Sequence, residues 1–187
     1  MLAAYKIKQA ANPTIDAAQR AEYFQAADRF LQAADQIENI NPDIHSLSSA
    51  CKGYRTFMQT ATDPHAVKQN TGSSTFTLAA NQFRGAQSTM PNNEGFLHAE
   101  LGRAALLFRQ KRYQEAQDLY RDILRRVPSC PAGVRVALGF CFDRLGKRKL
   151  AIKAMKRAIA VQPDNEEALV ALAILERQTK RHHKKGG

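Results

Sequence analysis

The sequence has no tryptophan and only three cysteines in 187 residues. Cys51, Cys130 and Cys141 are odd in number and unrelated in spacing, so they read neither as a disulfide framework nor as a zinc motif. Buried thiols in a reducing compartment are expected instead. No apolar run approaches the ~18–20 residues of a membrane span. The stretch after Met1, "LAAYKIKQAANP", lacks an apolar signal core. The expectation is an intracellular protein. Alternating β-branched patterns are scarce, which argues against strands.

Catalytic patterns are also missing. There is no Gly-x-Ser-x-Gly and no His-Glu-x-x-His. "GFCFDRLGK" ends in Gly-Lys, but the gap between Gly139 and Gly146 is too long for a phosphate loop, and no Ser or Thr follows Lys147. Gly146 fits better as a left-handed turn between paired helices. Carboxylates are scattered over the outward faces of expected helices, and the His182/His183 pair has no other ligands nearby. The reading is not an enzyme: no catalytic residue, no metal ligand and no cofactor.

What the sequence does have is charge of one sign, in one half. The formal net charge is +11. Residues 1–94 carry 8 Lys/Arg and 8 Asp/Glu, whereas residues 95–187 carry 20 and 9. That asymmetry suggests an anionic partner near the second half, or simply solubilised outer helix faces.

Ala, Gln, Leu, Arg, Lys and Glu dominate, which favours helix. Pro and Gly punctuate the chain at intervals too long for strands. Helices are expected near 2–11, 14–39, 43–60, 76–88, 95–110, 113–127, 131–145, 148–161 and 165–181.

These segments repeat. Ala116, Tyr120 and Pro128 are matched 35 residues later by Ala151, Met155 and Pro163, and Ala104 and Leu107 by Gly139 and Phe142. Each unit is a helix with a small residue and a large one three later, a tight turn, then a helix with a small residue and a large one four later. Proline closes it. This is the layout of a tetratricopeptide repeat (TPR), normally about 34 residues long; the extra residue can sit at 129–131. The small residues let helix backbones approach, the large ones fill the gap, and the proline ends the helix. Such a hairpin cannot bury its own apolar face and stacks on its neighbours. The fold class expected is therefore all-α, a right-handed α-solenoid of helical hairpins.

The layout recurs upstream in disturbed form. Ala79, Phe83, Ala86 and Pro91 share the spacing of Ala151, Met155, Ala158 and Pro163. Their partner helix carries Ala50 and Tyr54, and the long turn between accommodates an insert at 60–75, rich in turn residues. Ala27, Leu31 and Ala34 mark an earlier second helix. The units expected are about 1–42, 43–94, 95–130, 131–165 and a partial one at 166–178, followed by a basic tail at 179–187. Met1 falls inside one unit and Gly187 inside another, so the array is expected to be part of a longer one.

Residues 91–176 resemble the central TPR array of the large scaffold subunit of the RNA polymerase II-associated factor (PAF) complex. The resemblance rests on "PNN" at 91–93, "LGRAALLF" at 101–108, the block "P-x-CPAxVRxxxGxCFxxLxK" at 128–147, and "ALVALAILE" at 168–176. It extends loosely over 14–60. It implies a nuclear, non-enzymatic scaffold of transcription elongation and linked histone modification, which binds another subunit of the complex along its groove.

In a TPR array the first helix of each unit lines the groove. With Ala104, Gly139 and Ala173 setting the register, the groove side holds Leu101, Ala105 and Phe108, then Val136, Phe140 and Asp143, then Val170 and Ile174. Leu47, Cys51 and Arg55 would contribute earlier. Cochaperones that grip an acidic C-terminal tail need charge-assisted donors at these sites; Leu101 and Ala105 supply none. An apolar segment of a protein partner is the better fit. The second helices carry a basic face of Lys149, Lys153, Lys156 and Arg157, able to track phosphates but poor in aromatic residues for base stacking. The alternatives are thus a TPR cochaperone adaptor or a nucleic-acid-binding solenoid. The run 180–185 reads as a solvated basic tail or a nuclear-import signal.

Overall fold

The computed structural model of the protein describes residues 2–12, 14–37, 42–62, 74–87 and 94–185. All regular structure among them is helical: α1 (Leu2–Ala10), α2 (Ala17–Ile37), α3 (Pro42–Thr62), α4 (Ser74–Gln87), α5 (Glu94–Arg109), α6 (Tyr113–Arg126), α7 (Ala132–Arg144), α8 (Arg148–Val161) and α9 (Glu166–Lys185). The expected helices are therefore present, and the fold is all-α. One difference lies at the C-terminal end. α9 continues through the run expected as a tail, to Lys185. Most of the insert expected at 60–75 lies outside the described residues. None of the described helices is long and apolar enough to cross a membrane.

The chain forms two compact units, Met1–Leu106 and Leu107–Gly187. In the first, α1, α2 and α3 pack on one another and α3 packs on α4. Its core joins Ala50 of α3, Ala79 and Phe83 of α4, and Ala99 and Leu106 of α5. α2 and α3 are also clamped by Arg55, whose guanidinium donates to both carboxylate oxygens of Asp28 at 2.9 and 2.7 Å and lies over the ring of Phe24.

In the second unit the 35-residue repeat extends to individual backbone hydrogen bonds. The turn after α5 has the Lys111 N–H donating to the Phe108 carbonyl at 3.0 Å and the Arg112 N–H to Leu107 at 2.9 Å. Thirty-five residues on, Gly146 donates to Asp143 at 2.9 Å and Lys147 to Phe142 at 2.8 Å. This is a paired 5→2 and 6→1 helix ending, which needs a left-handed residue. Gly146 supplies it with φ 72°, and Lys111 occupies the same place with φ 62°. The second helices end alike as well: Val127 donates to Ile123 and Gln162 to Ala158.

A lysine at φ 62° bears a Cβ penalty that glycine lacks. Lys111→Gly should therefore raise stability, by about 1 kcal/mol at most, and Gly146→Ala should lower it by about 1 kcal/mol. Thermal melts of the two variants should move in opposite directions.

The residues proposed to let hairpins nest are buried. Ala116, Ala151, Ala158 and Gly139 all lie inside, as do Tyr120 and Met155. Met155 and its neighbours Ala151 and Ala158 form a core with Ala132 and Val136 of α7 and Ala168, Ala171 and Leu175 of α9. A polar bridge spans the same unit: the Lys147 ammonium donates to the buried Gln117 side chain at 2.9 Å and to Gln114 at 3.1 Å. Asn165 caps α9 by accepting from the Ala168 N–H at 2.9 Å.

Candidate protein-binding surfaces

Each expected groove residue is placed within its own unit. Leu101 and Ala105 are half-buried on α5 in the first. In the second, Phe108 is half-buried and meets the Tyr113 ring edge-on, centroids 5.2 Å apart. Phe140 is half-buried against the Met155 core.

Two assignments need correction. Val136 is 1% exposed and belongs to that core, so it cannot meet a partner. Ala173 was expected at a buried helix crossing and is exposed. The inner stripe of α9 is Ala168, Ala171 and Leu175, which rotates Ala173 away from α7 and α8. The same rotation leaves Val170 61% and Ile174 50% exposed. They sit four residues apart, on one face of the helix, with exposed Leu169 beside them. No described element covers this apolar stripe.

Of the earlier contributors, Leu47 is exposed and Cys51 half-buried. Arg55 is engaged with Asp28 and Gln59, so it clamps helices rather than offering a free donor.

The basic face divides. Lys156 is spent on Glu176 of α9, 3.2 Å away. Lys149 is exposed beside the α7–α8 turn. Lys153 and Arg157 border a recess between α6, α7 and α8, joined there by Arg121, Arg125 and Arg135. Sequence reasoning found Lys153 and Arg157 but missed Arg135, which comes from the first helix of its unit. The signal was the short spacing to "SCP": the Arg135 guanidinium donates to the carbonyls of Cys130 at 2.8 Å and Pro128 at 2.6 Å.

The cysteines are unsuited to nucleophilic work. Burial pushes the Cys141 thiol up to about 12, and burial likewise raises Cys51 and Cys130. The reactive form of a thiol is the thiolate, which burial disfavours. Among the described residues no three His, Cys, Asp or Glu side chains gather into a metal-ligating group.

No protein-family profile matches the chain. It is similar to curated proteins over part of its length. It is 39% identical over 100 residues to "Protein CTR9 homolog" of Arabidopsis thaliana, a match covering 54% of this chain and 9% of that protein. It is 32% identical over 100 residues to "RNA polymerase-associated protein CTR9" of Caenorhabditis elegans, covering 54% and 8%. The protein of the same name from Saccharomyces cerevisiae is 31% identical over 72 residues, covering 38% and 7%. The matched segment spans less than a tenth of each relative.

Proposed function

We propose that this chain acts as a non-enzymatic protein-binding scaffold of the PAF complex type, nuclear, and engaged in RNA polymerase II transcription elongation and the histone modification linked to it. The observation that carries this reading is the 39% identity over 100 residues to a CTR9 homologue. Two further relatives are named as RNA polymerase-associated. The hairpins of the second unit, whose turn hydrogen bonds recur once after 35 residues, fit the stacked frame such a scaffold needs. Its partner would be another subunit of that complex, presenting an apolar segment to the groove-side residues of the second unit, Phe108, Phe140, Val170 and Ile174; Leu101 and Ala105 offer the corresponding positions of the first unit. Val170 and Ile174 are the most exposed of these.

The test uses the whole chain as bait in nuclear extract, with RNA polymerase-associated factors read by antibody. The Val170→Glu/Ile174→Glu variant places two charges on the exposed stripe and leaves the Met155 core alone. Capture should fall by about tenfold or more, since burying an unpaired charge in an interface costs several kcal/mol. Its thermal midpoint should stay near that of the parent. No capture of these factors by the parent chain would refute the scaffold reading; undiminished capture by the variant would refute the placement of the surface.

A further inference from the structure

The recess between α6, α7 and α8 has about 390 Å³ of space. Its cations come from three helices: Arg121 and Arg125 of α6, Arg135 of α7, and Lys153 and Arg157 of α8. No carboxylate lines it. Elsewhere on these helices cations find partners, Arg126 with Asp122 at 3.1 Å and Lys156 with Glu176 at 3.2 Å. Arg121, Arg125, Lys153 and Arg157 have no ion pair among the described residues. The floor is apolar, made by Leu124, Leu138 and Phe142 with Leu150 at one side.

We propose that this recess is a docking site for an acidic peptide segment of a protein partner that seats one large apolar side chain on the floor between flanking carboxylates. This does not rest on the transcription reading. Five like charges held around one small depression repel one another, and an anion arriving there relieves that repulsion. Arginine forks suit carboxylates in particular, through paired N–H donors. Arg135 is already oriented by two backbone carbonyls, so its positive charge stands fixed at the recess.

The floor selects between anions. A phosphodiester strand gains nothing from Leu124 and Leu138, and the single aromatic of the lining, Phe142, is half-buried in the adjoining core. Base stacking needs exposed aromatic faces. An apolar side chain flanked by carboxylates satisfies floor and rim together.

The probe is a fluorescein-labelled peptide, Asp-Glu-Asp-Glu-Phe-Asp-Glu-Asp-Glu, titrated with the full chain in low salt and followed by anisotropy. Binding should saturate at one peptide per chain. Replacing its Phe with Ser should weaken binding by about tenfold, the worth of one buried large apolar side chain. Arg125→Glu/Arg157→Glu in the protein should weaken it by about tenfold or more, and Lys149→Glu, outside the recess, by less than about twofold. Circular dichroism checks that the variants fold; Arg125→Gln/Arg157→Gln serves if the reversal does not. The proposal fails if the Phe and Ser peptides bind equally, if the double variant binds like the parent, or if a single-stranded oligonucleotide of equal charge binds more tightly.

Discussion

Phe83→Ala should destabilise the first unit by about 3–5 kcal/mol. Phe83 is completely buried, and its ring lies between two helices that expose bare backbone to it. A Cβ placed on Gly53 would come within 2.6 to 2.9 Å of three ring carbons, and one on Gly102 within 2.2 to 2.8 Å. Tyr54 closes the site edge-on, with ring centroids 5.2 Å apart, and its hydroxyl donates to the His98 carbonyl at 3.0 Å. A cavity costs most where the walls cannot move in. Here two walls are glycine backbone, with no side chain to rotate into the space. Urea unfolding followed by circular dichroism measures the effect, and a loss under about 1 kcal/mol would mean that the ring is not what holds α3, α4 and α5 together. Gly102→Ala should also destabilise, by about 1–3 kcal/mol through overpacking, and should do so far less once Phe83 is Ala.

The second large effect lies at Met155, where replacement by Ala should cost about 2–5 kcal/mol. Met155 is fully buried at the centre of the α7–α8–α9 core. Its terminal methyl lies where a Cβ on Gly139 would be, 2.7 Å away, with its sulfur at 3.2 Å. The two positions are thus coupled, and the sign of one substitution depends on the other. In the parent chain Gly139→Ala crowds Met155 and should destabilise, tempered by the flexibility of the methionine tip. In the Met155→Ala background the crowding is gone and the new methyl enters vacated space. Gly139→Ala should then stabilise by about 1 kcal/mol, the ordinary advantage of Ala over Gly inside a helix. A double-mutant cycle by urea unfolding reads this reversal. Equal and additive costs in both backgrounds would show that the two residues do not touch.

Small and large residues at 4- and 3-residue offsets announced the helix crossings, and the burial of Ala79, Phe83, Ala116, Tyr120, Ala151, Met155 and Ala158 follows from them. The signal is strong because close packing tolerates few residue types where backbones approach. Gly53 and Gly102 were legible in principle: a glycine inside a helix is costly, so its presence marks a close approach. Which ring came close was not legible, because Phe83 lies far along the chain from both. Ala173 failed for a different reason. On α9, Ala168, Ala171 and Ala173 are all small, so composition offers several registers, and only the packing on α7 and α8 selects one.

By its own pattern the sequence determined the all-helical fold, the 35-residue period, the left-handed turn at Gly146 and the TPR resemblance, since each depends on spacing along one chain. Only the tertiary structure decided which residues are free to act. It took Val136 into the core and Lys156 into an ion pair, left Val170 and Ile174 uncovered, and drew Arg121, Arg125, Arg135, Lys153 and Arg157 around one recess. The physical reason is that exposure and charge clustering are set by which helices face one another across tens of residues, and no local spacing carries that information.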